Sequence, residues 1–255
     1  MLWNSGEDKM IRGLILALQF FTRIPINVSV GFNEKNIRYS VFFLPLVGAV
    51  VGGLGGLAFY LLRPYNKLIA SFIALLITII LTGGLHIDGL SDTFDGFLSN
   101  RDREETLKIM QDSRIGAFGV LSIVLLLIFK LILIISIESV PLAITLSFAN
   151  SRLVLGLIIS NKKVAKPTGL GNLFHNSNPK EIILISAIIY LIAIVSLDIK
   201  YTIPLIVNIL AAEYISRISY KKIGGLTGDV YGAIIEIGDI VSLLSFWFVM
   251  ENLYL

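Results

Sequence analysis

An all-α, polytopic membrane bundle is what this 255-residue chain encodes. Hydrophobic residues make up 55% of it and charged residues 15%, where ordinary soluble chains carry about 25% charged residues. Its mean hydropathy is +0.83. The apolar residues fall in Leu/Ile/Val-rich runs close to the roughly 20 residues that a helix needs to cross a hydrocarbon core. Helices are the economical solution there, because every backbone polar group must be satisfied within the segment. A soluble enzyme, a disordered chain and a secreted disulfide scaffold do not fit these numbers, and the absence of Cys removes thiolate nucleophiles and thiolate metal sites.

Met1 to Arg12 holds Glu7, Asp8 and Lys9, so no cleavable signal sequence is expected. Met10 to Ile26 stays apolar for about three turns before Arg23 and reads as an interfacial or re-entrant helix. Seven candidate spans follow: Ser40 to Leu62, Leu68 to Leu85, Ile115 to Ile137, Val140 to Ser160, Ile182 to Leu197, Tyr201 to Ile215 and Val230 to Met250, the sixth being the weakest. No internal repeat, heptad run or Pro/Ser-rich linker divides the chain, so residues 1–255 are expected to form a single catalytic bundle.

The basic residues test this layout, because cytoplasmic loops concentrate Lys and Arg. One face collects Lys9, Arg12, Arg23, Lys35 and Arg38, then Arg101, Arg103, Lys108 and Arg114, then Lys162, Lys163, Lys166 and Lys180, then Arg217, Lys221 and Lys222. The other face has Arg63, Lys67 and Lys200, while Lys130 and Arg152 lie inside spans. An odd number of spans in the cell membrane accounts for this bias, with the two longest hydrophilic segments, His86 to Arg114 and Asn161 to Lys180, on the cytoplasmic face. The net charge of +3 is spread through loops without a basic stripe, so a nucleic-acid partner is not expected.

Asp88, Asp92 and Asp95 stand at i, i+4 and i+7, which on a helix places three like charges within one narrow arc. Such a cluster is costly unless a cation compensates it, and oxygen-only ligands select Mg²⁺, Mn²⁺ or Ca²⁺. The bland alternative is a solvated acidic turn at the membrane edge. His86 reads as an interfacial hydrogen-bonding residue or as a further ligand. Asp112 reads either as a helix cap with Arg114 as a flanking anchor, or as part of the site. Asp229, with Glu236 and Asp239 deeper in the last span, falls on the same face as the triplet, so the two acidic groups are expected to meet. Two carboxylate groups facing each other suit metal ions that clamp the oxygens around a phosphorus during in-line displacement. Lys166 to His175 is a basic glycine loop, readable as a phosphate cradle at Gly169 and Gly171 or as a plain turn.

Three segments carry a resemblance: Gly84-Leu85-His86-Ile87-Asp88-Gly89-Leu90-Ser91-Asp92-Thr93-Phe94-Asp95-Gly96, then Met110-Gln111-Asp112-Ser113-Arg114-Ile115-Gly116-Ala117-Phe118-Gly119, then Gly225-Leu226-Thr227-Gly228-Asp229-Val230-Tyr231-Gly232-Ala233. In order and spacing the chain resembles the cobalamin synthase family, the adenosylcobinamide-GDP ribazoletransferases. Leu18 to Pro25 and Phe43 to Gly48 are similar to that family's opening segments, and Thr168-Gly169-Leu170-Gly171 to its central glycine loop. Asp239 departs by standing where the family usually has Glu, which keeps a carboxylate.

The resemblance implies a Mg²⁺-dependent enzyme of late vitamin B12 assembly. It would join adenosylcobinamide-GDP to α-ribazole or its 5′-phosphate through attack by the ribose 3′-hydroxyl, with GMP leaving. The corresponding assignments are Asp88, Asp92 and Asp95 to a first metal, Asp229 and Glu236 to a second metal or the base, and Asp112 to either. Arg114 and Arg23 would contact phosphates, as would the loop at Gly169 and Gly171. Competing readings are a CDP-alcohol phosphotransferase or prenyltransferase, and a divalent-cation transporter lined by Lys130, Arg152, Glu236 and Asp239. The residues do not indicate an oligomeric state.

Overall fold

The computed structural model describes residues 7–252. The first six residues of the opening segment, and the last three of the chain, lie outside the described residues. Twelve helices follow one another: α1 (Glu7–Phe21), α2 (Glu34–Phe42), α3 (Leu44–Leu62), α4 (Lys67–Thr82), α5 (Leu85–Leu98), α6 (Arg103–Ile109), α7 (Ala117–Ser136), α8 (Val140–Asn161), α9 (Leu170–Asn176), α10 (Lys180–Leu197), α11 (Thr202–Ile223) and α12 (Gly228–Asn252). The chain is thus all-α and polytopic, as its composition requires.

Helix α1 ends at Phe21, ahead of the Arg23-Ile24-Pro25 step, where proline disfavours helix in the residue before it. At 15 residues it is about 22 Å long, short of the roughly 30 Å core, and it packs beside α2 with Gly13 against the backbone of Tyr39. It is therefore not a span. Five helices are long and apolar enough to cross a membrane: α3, α7, α8, α10 and α12. A sixth crossing arises if α4 is counted with α5, from which it is bent by 87°. The remaining one of the seven apolar runs became α11, which has sufficient length at 22 residues. Asn208, Glu213 and Arg217 dilute its apolar content.

Helix α8 is the centre of the bundle, with 83% of its most apolar window buried, against 33% for α7 and 22% for α10 on the outside. It packs closely on α3 because Gly48, Gly52 and Gly56 present one bare stripe to it. A Cβ at Gly52 would come within 2.6 Å of the Ile144 carbonyl oxygen. Small residues four apart are how membrane helices gain van der Waals contact when lipid offers no hydrophobic drive.

The junction of α4 and α5 positions the rest of the molecule. Gly83 and Gly84 are both left-handed, with φ of 64° and 71°, a conformation that only glycine adopts cheaply. Two such residues in succession turn the chain by the 87° noted above, so α5 runs across the end of the bundle instead of continuing the crossing. The Arg23 side chain lies over Gly83, and the Arg23 N–H donates to the Leu81 carbonyl at 2.6 Å. The end of α1 is thereby tied to the elbow.

Candidate active site

Helices α5 and α12 cross at glycines. A Cβ on Gly89 would lie 2.8 Å from the Asp229 carbonyl oxygen, and one on Gly232 would lie 2.9 Å from that of His86. The backbones are consequently in contact, and Asp88 and Asp92, one turn apart on α5, stand beside Asp229 at the start of α12. Asp88 is exposed at the rim, whereas Asp92 and Asp229 are half-buried. The Asp229 carboxylate accepts a hydrogen bond from the Thr227 hydroxyl at 3.3 Å. Partial burial, then the negative charges of Asp88, Asp229 and Asp95, push the Asp92 carboxyl up to about 7.

That shift makes a prediction. The unfolded chain gives up the Asp92 proton near 3.8 while the metal-free folded chain holds it to about 7. The folded form binds more protons between those values, so stability falls as pH rises through that window. Melting in detergent with EDTA is expected at a lower temperature near pH 8 than near pH 5.5, and Asp92→Asn should flatten the dependence.

Asp95, the third member of the triplet, is committed elsewhere. Its two carboxylate oxygens accept the backbone N–H groups of Gly116 at 2.7 Å and Gly119 at 2.9 Å, closing the N-terminus of α7, whose free amides and dipole favour an anion. A Cβ at Gly116 or Gly119 would fall on this carboxylate, which accounts for the glycines of the second motif. Asp95→Asn replaces one acceptor by an amide donor facing an N–H, and is expected to cost about 1–2 kcal/mol, read as a lowered melting temperature.

Glu236 is likewise placed apart from the α5–α12 rim. It pairs with Lys130 of α7 at 2.6 Å, and Lys130 also reaches Asp239 at 3.0 Å. Asp239 is bound in turn by Arg152 and the Ser151 hydroxyl, and both cations lie over the Phe148 ring, at 5.3 and 4.6 Å from its centroid. All four charged side chains are at least 96% buried. Asp112 and Arg114 form an exposed pair at 2.7 Å on the loop before α7. Arg114 hydrogen bonding holds the Asp112 carboxyl down at about 2.

The glycine loop does come to the site. The N–H of Ala165 donates to the Leu226 carbonyl at 2.8 Å and that of Leu226 to Lys163 at 3.0 Å. Arg103, at the start of α6, clamps both segments of this bridge through the carbonyls of Ile223 at 2.9 Å and Ala165 at 3.1 Å. Gly171 is buried against the Tyr231 ring, while Gly169 is exposed with φ of 90°. Lys166, Gln111, Asn172 and Thr227 line a polar cleft of about 240 Å³ there, which shares Gly171, Gly228 and Asp229 with a second, apolar cavity of about 160 Å³.

That second cavity joins His86, already a candidate, to residues the sequence reading did not single out. Phe20, Phe21 and Phe174 form its aromatic wall, with ring centroids 4.9 to 5.8 Å apart. Tyr231 also lines it. His86 lies on it with its ring 6.3 Å from Phe21. Burial, reinforced by the positive charges of Arg152 and Lys130, holds its imidazole well below the ordinary value and therefore neutral. Spacing within one helix could not have grouped these residues, because they converge from α1, α5, α9 and α12.

Among the described residues no three Asp, Glu or His side chains are close enough to hold one metal ion by themselves. Asp88, Asp92 and Asp229 are nevertheless hard oxygen donors grouped at the α5–α12 crossing, where burial and mutual repulsion raise the Asp92 carboxyl. Mg²⁺ commonly takes only one or two protein carboxylates and completes its shell with water and substrate phosphates, so this set suits it.

The architecture and site define a class: a multi-pass helical membrane protein with paired carboxylates, a basic loop and an apolar cavity at one end of the bundle. The chain belongs to the cobalamin-5-phosphate synthase family, whose model matches residues 13–247. It is 40% identical to the adenosylcobinamide-GDP ribazoletransferase of Treponema denticola over 95% of this chain and all of that one. It is 38% identical to the protein of the same name from Clostridium botulinum strain Loch Maree, over 92% and 97% of the two chains, and 39% identical to that of Clostridioides difficile, over 92% and 96%. No solved structure matches it.

Proposed function

We propose that this chain joins adenosylcobinamide-GDP to α-ribazole or its 5′-phosphate, yielding adenosylcobalamin or its 5′-phosphate and GMP, at the crossing of α5 and α12. The reaction follows from the family and from the shared name of relatives that the chain matches nearly end to end. The observation that carries the site is the glycine contact that sets Asp88 and Asp92 beside Asp229.

Mg²⁺ bound at these carboxylates would neutralise the diphosphate and the leaving phosphate. Asp88, at the exposed rim, and Asp229 are its holders. Asp92, whose carboxyl is raised to about 7 in the metal-free chain, would accept the ribose hydroxyl proton as the oxygen attacks phosphorus. Lys166 lies close enough to Asp229 to act on its charge and is the cation nearest the leaving GMP in this reading. Arg114 is exposed on the adjoining loop and can exchange Asp112 for a phosphate without leaving a buried group unpaired. The Lys/Arg bias of the loops supports a cytoplasmic orientation for this end of the bundle.

Detergent-purified protein given adenosylcobinamide-GDP, α-ribazole 5′-phosphate and Mg²⁺ should release GMP, and EDTA should abolish the release. A folded protein that forms no GMP under these conditions overturns the assignment.

A further inference from the structure

The apolar cavity has a feature that the carboxylate chemistry does not use. Both ring nitrogens of His86, a side chain 96% buried, lack any hydrogen-bond partner, and the hydroxyl of Tyr231, 93% buried on the same cavity, also has none. Buried polar atoms are nearly always paired, so two unpaired groups on one cavity point to an absent polar ligand. Apart from Asp88 and Asp229, most of the remaining wall is apolar, with Phe20, Phe21, Phe174, Leu155, Ile159 and Ile235 its largest side chains. Its volume of about 160 Å³ is close to that of the roughly 150 Å³ apolar cavities that take up a benzene-sized ring.

We propose that this cavity holds the flat, weakly polar bicyclic base of the acceptor nucleoside, with the Tyr231 hydroxyl donating to its free ring nitrogen, His86 pairing with a ribose hydroxyl, and the ribose directed on to Asp88 and Asp229. Guanine is the base of the departing nucleotide, and it fits this wall poorly. Its exocyclic amine, carbonyl and ring N–H would need more partners than two, and each one left unpaired against phenyl and aliphatic groups is costly. A benzimidazole-type base offers a single ring-nitrogen acceptor on an otherwise apolar bicycle. The sugar then emerges where the cavity meets Asp88 and Asp229, which also line it. The identity of the nucleoside rests on the transferase reading above, whereas the preference of the cavity does not require turnover.

The test is equilibrium dialysis of the purified full chain in detergent, without corrinoid or metal, against benzimidazole ribonucleoside and against guanosine. The benzimidazole nucleoside should bind at least about tenfold more tightly. Tyr231→Phe and His86→Leu should each weaken it by about three- to tenfold, the loss of one hydrogen bond. Neither should lower the melting temperature, since each removes an unpaired buried polar group. In turnover, Tyr231→Phe should raise KM for the nucleoside while KM for the corrinoid nucleotide holds. Guanosine binding as tightly, or Tyr231→Phe moving the corrinoid KM instead, overturns the base assignment and leaves GMP release untouched. Selective nucleoside binding by a folded protein that releases no GMP would support the cavity and overturn the transferase reading.

Discussion

Asp92→Asn is expected to lower GMP release by more than about a hundredfold while the protein melts no lower than wild type and, in EDTA, higher. The two effects have one origin. Asp92 is half-buried among Asp88, Asp229 and Asp95, so its negative charge is unfavourable in the metal-free fold and Asn removes the repulsion. The same substitution removes the group proposed to take the hydroxyl proton and weakens the field that draws the cation, and a loss of this size is usual for groups acting on the transition state. Stability and activity therefore move in opposite directions, as they do where a site keeps a strained arrangement for function. Turnover by GMP chromatography and melting in detergent check the two halves separately. Near-wild-type turnover would remove Asp92 from the chemistry, and a clear fall in melting temperature would make it a structural residue.

Most of the fold was legible in the sequence, because apolar runs of spanning length have few alternatives in lipid. The α4–α5 elbow was less so. Leu68 to Leu85 reads as one apolar run, and only the successive left-handed glycines Gly83 and Gly84 turn α5 away and bring the Asp motif across the bundle end. The i, i+4, i+7 spacing correctly anticipates a shared helical face, but spacing alone cannot tell which carboxylates are already occupied. Asp95 shares the face and spends both oxygens on the amides of Gly116 and Gly119. Glu236 is on the same helix as Asp229, yet its partner is Lys130 from a helix more than a hundred positions earlier in the chain. The aromatic cavity was invisible for the same reason. Phe20 and Phe174 are unremarkable where they stand in sequence, and His86, a candidate ligand there, acquires its aromatic neighbours only when α1, α5 and α9 meet.

Lys130→Met is expected to destabilise the bundle by about 3–5 kcal/mol, seen as reduced yield and a lower melting temperature in detergent. Lys130, Arg152, Glu236 and Asp239 form a buried group with two charges of each sign. Each ion has a close partner, and Phe148 and Ser151 complete the contacts. Removing one cation leaves two carboxylates to share Arg152 in the buried interior, and an unpaired buried charge is the expensive outcome. The double variant Lys130→Met, Glu236→Gln removes one charge of each sign, keeps the Arg152–Asp239 pair, and should recover at least half of the loss. That recovery separates this reading from a cation path, in which a carboxylate must be free to release a partner and pairing it back would not restore the protein. Failure of the double variant to recover would show that Lys130 contributes through packing against Phe148 more than through charge. The network also matters to the site at a distance: it sits on α7, α8 and α12, and its cations act on His86. The same helix that carries Glu236 and Asp239 also carries Gly232, whose backbone meets α5 at His86 and Gly89.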